Sequence, residues 1–158
     1  MSTISNINEL KSALGKRLLV IDGAMGTAIQ NRNLGPDDFG GPEYEGCNEY
    51  LTVTRPTVIE DIHRSYLEAG ADIIETNTFG STPVVLAEYD LAQEARRLNR
   101  EAANLARRAA DDASTPDKPR FVAGSMGPTT KTISVTGGIT FEELADGYHV
   151  QASGLIEG

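Results

Sequence analysis

The chain reads as an α/β fold built on a parallel sheet, and three observations carry that reading. First, short apolar runs alternate with helix-patterned stretches along the 158 residues, as right-handed βαβ units require. Second, three of those runs end abruptly in small and polar residues. Leu18-Leu-Val-Ile21 runs into Asp22-Gly-Ala-Met-Gly-Thr27, Ile73-Ile74 into Glu75-Thr-Asn-Thr-Phe-Gly80, and Phe121-Val-Ala123 into Gly124-Ser-Met-Gly-Pro-Thr129. Third, the connections are lopsided. Long stretches rich in Gly, Pro, Thr and Asp, 31–54 and 126–140, follow the first and third runs, whereas connections entering strands are shorter, one being Gly70 alone. Parallel α/β proteins place their chemistry at the carboxyl ends of strands, and long loops inside compact domains are usually functional. The three polar ends and the two loops therefore point to one shared pocket.

The elements follow in order. Ile4, Ile7, Leu10 and Leu14 recur at helical spacing and predict a short amphipathic helix, an N-terminal extension over 1–15 that packs ahead of the first strand. The next helix opens at Arg55-Pro56, since proline suits the first turn. Its stripe is Val58, Ile59, Ile62, Tyr66 and Ala69, and Gly70 stops it just before a strand over 71–75. A long helix is predicted over 84–112, with Leu91, Ala95, Leu98, Ala102, Leu105 and Ala109 on one side. A polar, proline-bearing connection over 111–119 leads to the strand at Phe121. The last helix opens with a capping box, Thr140-Phe-Glu-Glu143, in which hydroxyl and carboxylate satisfy each other's end of the turn. Phe141, Leu144, Tyr148 and Leu155 form its apolar face. An internal repeat supports this division. Val20-Ile-Asp-Gly-Ala-Met-Gly-Thr27 resembles Val122-Ala-Gly-Ser-Met-Gly-Pro-Thr129, and Tyr66-Leu-Glu-Ala-Gly70 resembles Leu155-Ile-Glu-Gly158.

Composition narrows the function classes. The chain is long enough for one domain with a hydrophobic core, and 39% hydrophobic with 23% charged residues is ordinary for a globular protein. A net charge of -9 argues against nucleic acid or an anionic membrane as partner, because both select for excess Lys and Arg. The clustered basic residues Arg96, Arg97, Arg100, Arg107 and Arg108 alternate with Glu94 and Glu101, the pattern of a solvated helix face. One cysteine, Cys47, excludes an internal disulfide and a CxxC metal site. No signal-peptide layout and no apolar run of roughly 18 residues is present, so a cytoplasmic location is expected.

Asp22 follows an apolar run and precedes Gly23, so its carboxylate suits a substrate ammonium while glycine backbone N–H groups reach an anion. A turn capped through its own backbone is the alternative reading of Asp22. Glu75, Thr76 and Asn77 end a strand expected to be buried, where a charge needs a partner or a purpose. Alternation puts Glu75 and Asn77 on one side and Thr76 on the other, and a structural polar layer is the competing account. Ser125 lacks the G-x-S-x-G context of an activated nucleophile, so hydrogen bonding or packing is its expected role. Met25 and Met126 suit either an apolar pocket wall or the core. His63 and His149 have no metal-spaced companion and read as ordinary surface or satisfied histidines. Cys47, in Glu45-Gly-Cys-Asn-Glu49, has no activating neighbour. Gly23-Ala-Met-Gly26 lacks the spacing of a dinucleotide fingerprint.

Five strings taken together carry a family resemblance: Asp22-Gly-Ala-Met-Gly-Thr27, Gly46-Cys-Asn-Glu-Tyr-Leu51, Thr54-Arg-Pro56, Ala69-Gly-Ala-Asp-Ile-Ile-Glu-Thr-Asn-Thr-Phe-Gly80 and Gly124-Ser-Met-Gly-Pro-Thr129. The chain resembles the homocysteine S-methyltransferase family, and within it the start of the homocysteine-binding domain of cobalamin-dependent methionine synthases. Methyltransferases that use betaine or S-methylmethionine share the Asp-Gly and Thr-Asn-Thr pattern more loosely. The resemblance implies a (β/α)8 TIM-barrel type fold of which about the first three βα units are present. It also implies a zinc that binds homocysteine as thiolate, and a methyl group delivered by methylcobalamin on another module. Carried over residue by residue, Asp22 matches the acidic group near the substrate ammonium. Gly23, Ala24 and Met25 match the backbone that meets the substrate carboxylate, and Glu75, Asn77 and Ser125 match further pocket positions.

The family's three zinc cysteines lie in later segments, and Cys47 matches none of them, so no metal ligand and no catalytic residue is assigned in this chain. At about 50 residues per unit, three units cannot close a barrel of about 250 residues. The whole of 1–158 therefore reads as part of a homocysteine-binding domain, inactive alone. The alternative is a binding or assembly module completed by a partner chain.

Overall fold

A computed structural model describes residues 3–134 and 136–158. Helix α1, Thr3–Leu14, forms where the apolar spacing places it, although Ile7 and Leu14 remain exposed. The first apolar run does not become a regular strand. Ile21 makes one isolated parallel bridge to Ile73, with Asp72 N and Ile73 N donating to Val20 O (2.7 and 3.1 Å) and Asp22 N donating to Ile73 O (2.9 Å). No other strand flanks this run among the described residues, which leaves Leu18 at 92% exposure. Its anchor is electrostatic. Asp72 is buried, accepts from Val20 N (2.9 Å) and pairs with the Arg17 guanidinium (2.8 Å), which holds its carboxyl down to about 2.

The stretch 31–54 is a chain of short helical turns rather than an unstructured loop. Helix α2, Met25–Gln30, precedes it. Helix α3, Pro36–Phe39, the 3₁₀ turns Pro42–Tyr44 and Asn48–Tyr50, and helix α4, Leu51–Thr54, follow one another. Prolines start α3 and the first 3₁₀ turn, and glycines in the left-handed region bend the chain at Gly40 and Gly46 (φ 93° and 91°). Phe39, Cys47, Leu51 and Thr52 are buried within it.

Helix α5, Pro56–Ala69, begins at its proline and ends at Gly70, whose φ of 112° is strained for any other residue. Lys118 Nζ donates to Gly70 O (3.1 Å) and Arg120 to Ala71 O, two cations on carbonyls at the helix's negative end. Val58, Ile59 and Ile62 are buried as expected, whereas Ala69 is exposed. Strand β1, Ile73–Glu75, pairs in parallel with β2, Phe121–Ala123, in the register Ile73 with Phe121 and Glu75 with Ala123.

The helix predicted over 84–112 is interrupted. Helix α6, Pro83–Leu86, passes into a 3₁₀ turn, Ala87–Tyr89, which stops at Asp90 in the left-handed conformation (φ 57°). A second 3₁₀ turn, Ala92–Glu94, then starts α7, Ala95–Ala113. The apolar stripe survives the break: Leu91, Ala95, Leu98, Ala102, Leu105 and Ala109 are all buried. The basic cluster is the ion-paired surface the sequence implied, with Arg97 on Glu94 (2.5 Å), Arg107 on Asp111 (2.8 Å) and Arg96 on Glu157.

Helix α8, Phe141–Glu157, opens on the capping box: Glu143 N donates to Thr140 Oγ1 (3.2 Å) and Thr140 N to Glu143 Oε2 (2.8 Å). Its buried face differs from the expected one. Phe141 is 66% exposed, and Gly147, Gln151 and Gly154 turn inward instead. Gly147 faces Val84 of α6, and the C-terminal half closely approaches α7: a Cβ on Gly154 would lie 2.5 Å from Arg96 O, and one on Gly158 2.3 Å from Arg100 O. Small residues here allow backbone-to-backbone packing that larger apolar ones would block. No described helix is long and apolar enough to cross a membrane.

Candidate functional site

The ladder between β1 and β2 ends on Thr76 N donating to Ala123 O (3.0 Å), and the polar residues gather at this end. Asp22 Oδ1 accepts from Glu75 N (3.0 Å), which ties the first polar strand end to the second. Ser125 Oγ lies 3.5 Å from Glu75 Oε2, tying in the third. Asp22, Glu75 and Ser125 are thus brought together as the sequence implied. Glu75 is exposed rather than buried, in contrast to Thr76 and Asn77 that follow it.

Burial pushes the Asp22 carboxyl up to about 6, the Glu75 carboxylate adding to the rise, while the hydrogen bond from Glu75 N–H opposes it. Asp22 is therefore poised to gain from a cation. Beside it, Gly23 and Gly26 face open space where a Cβ would stand. Ala24 between them sits at φ 28°, a left-handed conformation that is costly for a non-glycine residue. Met25 starts α2 and packs against the cluster of Ile29, Phe39, Leu51 and Ile59.

Asn77 does not join this group. Its buried amide donates to Asn48 O (2.7 Å) and Thr52 Oγ1 (3.4 Å), so it fastens the first long loop to the sheet end. Strand alternation stops at Glu75, which is why Glu75 and Asn77 do not share an environment. Glu49 works alongside, accepting from Gly80 N (2.8 Å). Sequence reasoning gave Glu49, Thr78 and Gln151 no role, placed Tyr148 only on the apolar face of the last helix, and gave Thr76 no partner. Thr76 and Thr78 hold Ser125, Gln151 Nε2 donates to Thr78 O (2.7 Å), and Tyr148 Oη donates to Gly127 O (2.8 Å). The Thr-Asn-Thr string was visible; its partners lie 25 to 73 residues away and depend on tertiary structure.

Two hollows flank the site. A groove of about 370 Å³ is lined by Val20, Ile21, Asp22 and Gly23 together with Tyr66 and Gly70. A larger, mostly apolar one of about 550 Å³ is lined by Ile7, Leu10, Phe121, Met126 and Leu155 and reaches Thr76, with neither Asp22 nor Glu75 in its wall. Cys47 is buried against Leu86, Leu91, Ala95 and Leu98, and burial raises its thiol to about 11, so it is a core residue. His63 overturns the expectation of an ordinary surface or satisfied histidine. It is wholly buried, neither ring nitrogen has a partner among the described residues, and burial lowers its pKa to about 4.

The chain belongs to the homocysteine S-methyltransferase family, whose family model matches residues 19–158. Two curated relatives, the methionine synthases of Mycobacterium leprae (strain TN) and Mycobacterium tuberculosis (strain ATCC 25618 / H37Rv), are each 47% identical over 150 residues. Those residues are 95% of this chain and 12% of each relative, so the chain spans a small part of the proteins it matches. Among solved structures, the metallated homocysteine methyltransferase MmuM of Escherichia coli superposes with a TM-score of 0.72 at 24% identity, over 94% of this chain and 53% of that one. Its oxidized form gives a TM-score of 0.73 at 25% identity over 94% and 52%. The described α/β fold is therefore that of the corresponding part of these enzymes.

Proposed function

We propose that this chain binds the amino-acid end of homocysteine as part of a methyltransferase of the methionine synthase type. In this reading the three polar strand ends belong to the first three βα units of a (β/α)8 barrel. Asp22 holds the substrate ammonium, the backbone of Gly23, Ala24 and Met25 receives the carboxylate, and Glu75 and Ser125 complete the polar wall. Asn77 contributes indirectly, by fixing the loop beside the pocket. The observation that supports this most is the convergence of Asp22, Glu75 and Ser125 through bonds of 3.0 and 3.5 Å. The 47% identity to methionine synthases favours that branch over enzymes using betaine or S-methylmethionine.

The implied zinc has no fit here. Among the described residues no group of three or more His, Cys, Asp or Glu is placed to hold a metal, and Cys47 is a buried thiol rather than a thiolate. The described residues therefore supply no zinc ligand set, and methylcobalamin belongs in this reading to another module of a longer enzyme. The lone thiol agrees with a reducing, cytoplasmic setting.

Calorimetric titration with L-homocysteine tests the reading. Asp22→Asn is expected to weaken binding about tenfold or more, the scale of a hydrogen bond to a charged group. Wild-type binding should also strengthen as pH rises through about 6, where Asp22 ionises. The analogue lacking the amino group should bind equally weakly to both proteins. Absence of binding to the wild-type chain, or an Asp22→Asn variant of unchanged affinity, would sink the proposal.

A further inference from the structure

We infer that Thr76 and Thr78 are positioning residues which clamp Ser125 in the pocket through a closed ring of hydrogen bonds with one possible direction. The inference rests on the proposed homocysteine pocket for its function, and on the following geometry for the clamp. Ser125 N donates to Thr76 Oγ1 (3.0 Å), Thr78 Oγ1 donates to Ser125 O (2.7 Å), and the two hydroxyl oxygens lie 2.6 Å apart. Each hydroxyl has one proton to give. The Thr78 proton goes to the Ser125 carbonyl, which has none of its own, so the short contact must be donated by Thr76. The ring then runs from Ser125 N–H to Thr76, from Thr76 to Thr78, and from Thr78 back to Ser125 C=O.

Both hydroxyls are buried, Thr76 at 2% and Thr78 at 1% exposure, so each bond forms in a low-dielectric setting and polarises the next. The location gives the ring its use. The sheet ladder stops at Thr76 N on Ala123 O, two residues before Ser125, and Gly127 N on Phe79 O resumes contact two residues after it. Across that gap the two side chains replace the missing strand partner, gripping Ser125 by its own N–H and C=O. Gripped on its backbone alone, Ser125 keeps its hydroxyl free to face Glu75. Helix α8 braces the ring from behind, Gln151 Nε2 donating to Thr78 O.

Amide exchange followed by NMR on the full chain tests the clamp. In Thr76→Val and in Thr78→Val, which keep the shape and lose the hydroxyl, the Ser125 amide should exchange about tenfold faster or more. Thr76→Ser and Thr78→Ser should restore wild-type rates, and amides of α7 should not change in any variant. Unchanged Ser125 exchange in both valine variants, or serine variants as impaired as the valine ones, overturns the clamp. Should the valine variants fail to fold, the wild-type chain decides: both threonine hydroxyl protons must be slowly exchanging, and rapidly exchanging ones overturn it. L-homocysteine titration then tests the function. The valine variants should bind about tenfold more weakly and the serine variants like wild type. Equal affinity in all four, with the ring shown by exchange, removes the positioning role. A wild-type chain that binds no homocysteine defeats the pocket reading, while the exchange data still decide the clamp.

Discussion

Two stretches leave the carboxyl end of the sheet, 31–54 after the first apolar run and 126–140 after the third, and both are rich in turn-forming residues. The first condenses into short helices around Phe39, Cys47 and Leu51, with Leu51 wholly buried, and Asn77 and Glu49 tie it to the second polar strand end. In the second, Met126 and Ile133 are exposed, the latter at 54%. The contrast lies in what each stretch rests on. The first lies over Ile59 and Ile62 of α5 and Leu98 of α7, a surface prepared to receive apolar side chains. The second leaves Ile133 more than half exposed. Turn chemistry makes both stretches bend; buried apolar anchors decide which of them sets.

That contrast can be broken most sharply at Leu51. Leu51→Ala should destabilise the chain by about 2–5 kcal/mol, because the void it leaves lies in the shared cluster of the first loop and α5. Urea unfolding at constant slope would read this directly, and a loss below half a kilocalorie would mean the loop does not carry core packing.

The next largest effect comes through His63, a buried residue of α5. Its imidazole is held neutral, with a pKa lowered from 6.5 to about 4, so the unfolded chain binds more protons between those values. Stability from this group is complete above about 6.5 and falls by up to about 3 kcal/mol as pH drops towards 4. Asp22 works the other way. Its pKa, raised from 3.8 to about 6, gives stability that is complete below 3.8 and is lost as pH rises through 6. Urea midpoints at pH 7 and pH 5 should therefore show acid weakening in the wild type that His63→Leu reverses. Parallel pH profiles for the two proteins would show that His63 is not the group responsible.

The smallest effect belongs to the second stretch. Ile133→Ser should change stability by no more than about 0.5 kcal/mol, as expected for a side chain that stays more than half exposed in the folded chain. A thermal-midpoint shift comparable to that of Leu51→Ala would erase the distinction between the loops.

Much of the scaffold was legible because local chemistry specified it. Pro56 and Gly70 mark the ends of α5, Thr140 and Glu143 mark the start of α8, and the stripe from Ala95 to Ala109 marks the buried side of α7. Convergence of Asp22, Glu75 and Ser125 was legible too, since each lies within two residues of the end of an apolar run. What stayed hidden depends on distant partners. The first run's contact with the sheet is one bridge, Ile21 to Ile73, 52 residues away. The buried face of α8 is chosen by backbone proximity to α7, where glycine outranks Phe141, so an apolar-stripe argument points the wrong way. The break at Asp90 and the burial of His63 have no local periodic signature, and the grip of Thr76 and Thr78 on Ser125 exists only once the two strand ends meet.

The glycine contact between α7 and α8 has a mechanical consequence. Interlocked at Gly154 and Gly158, the two helices mesh at one axial setting, as a toothed rack engages at one notch. Gln151 and Tyr148 project from that rack one and two turns earlier, touching Thr78 O and Gly127 O. Helix α8 is thus a depth gauge: the notch at its far end sets the height at which the second and third polar strand ends stand.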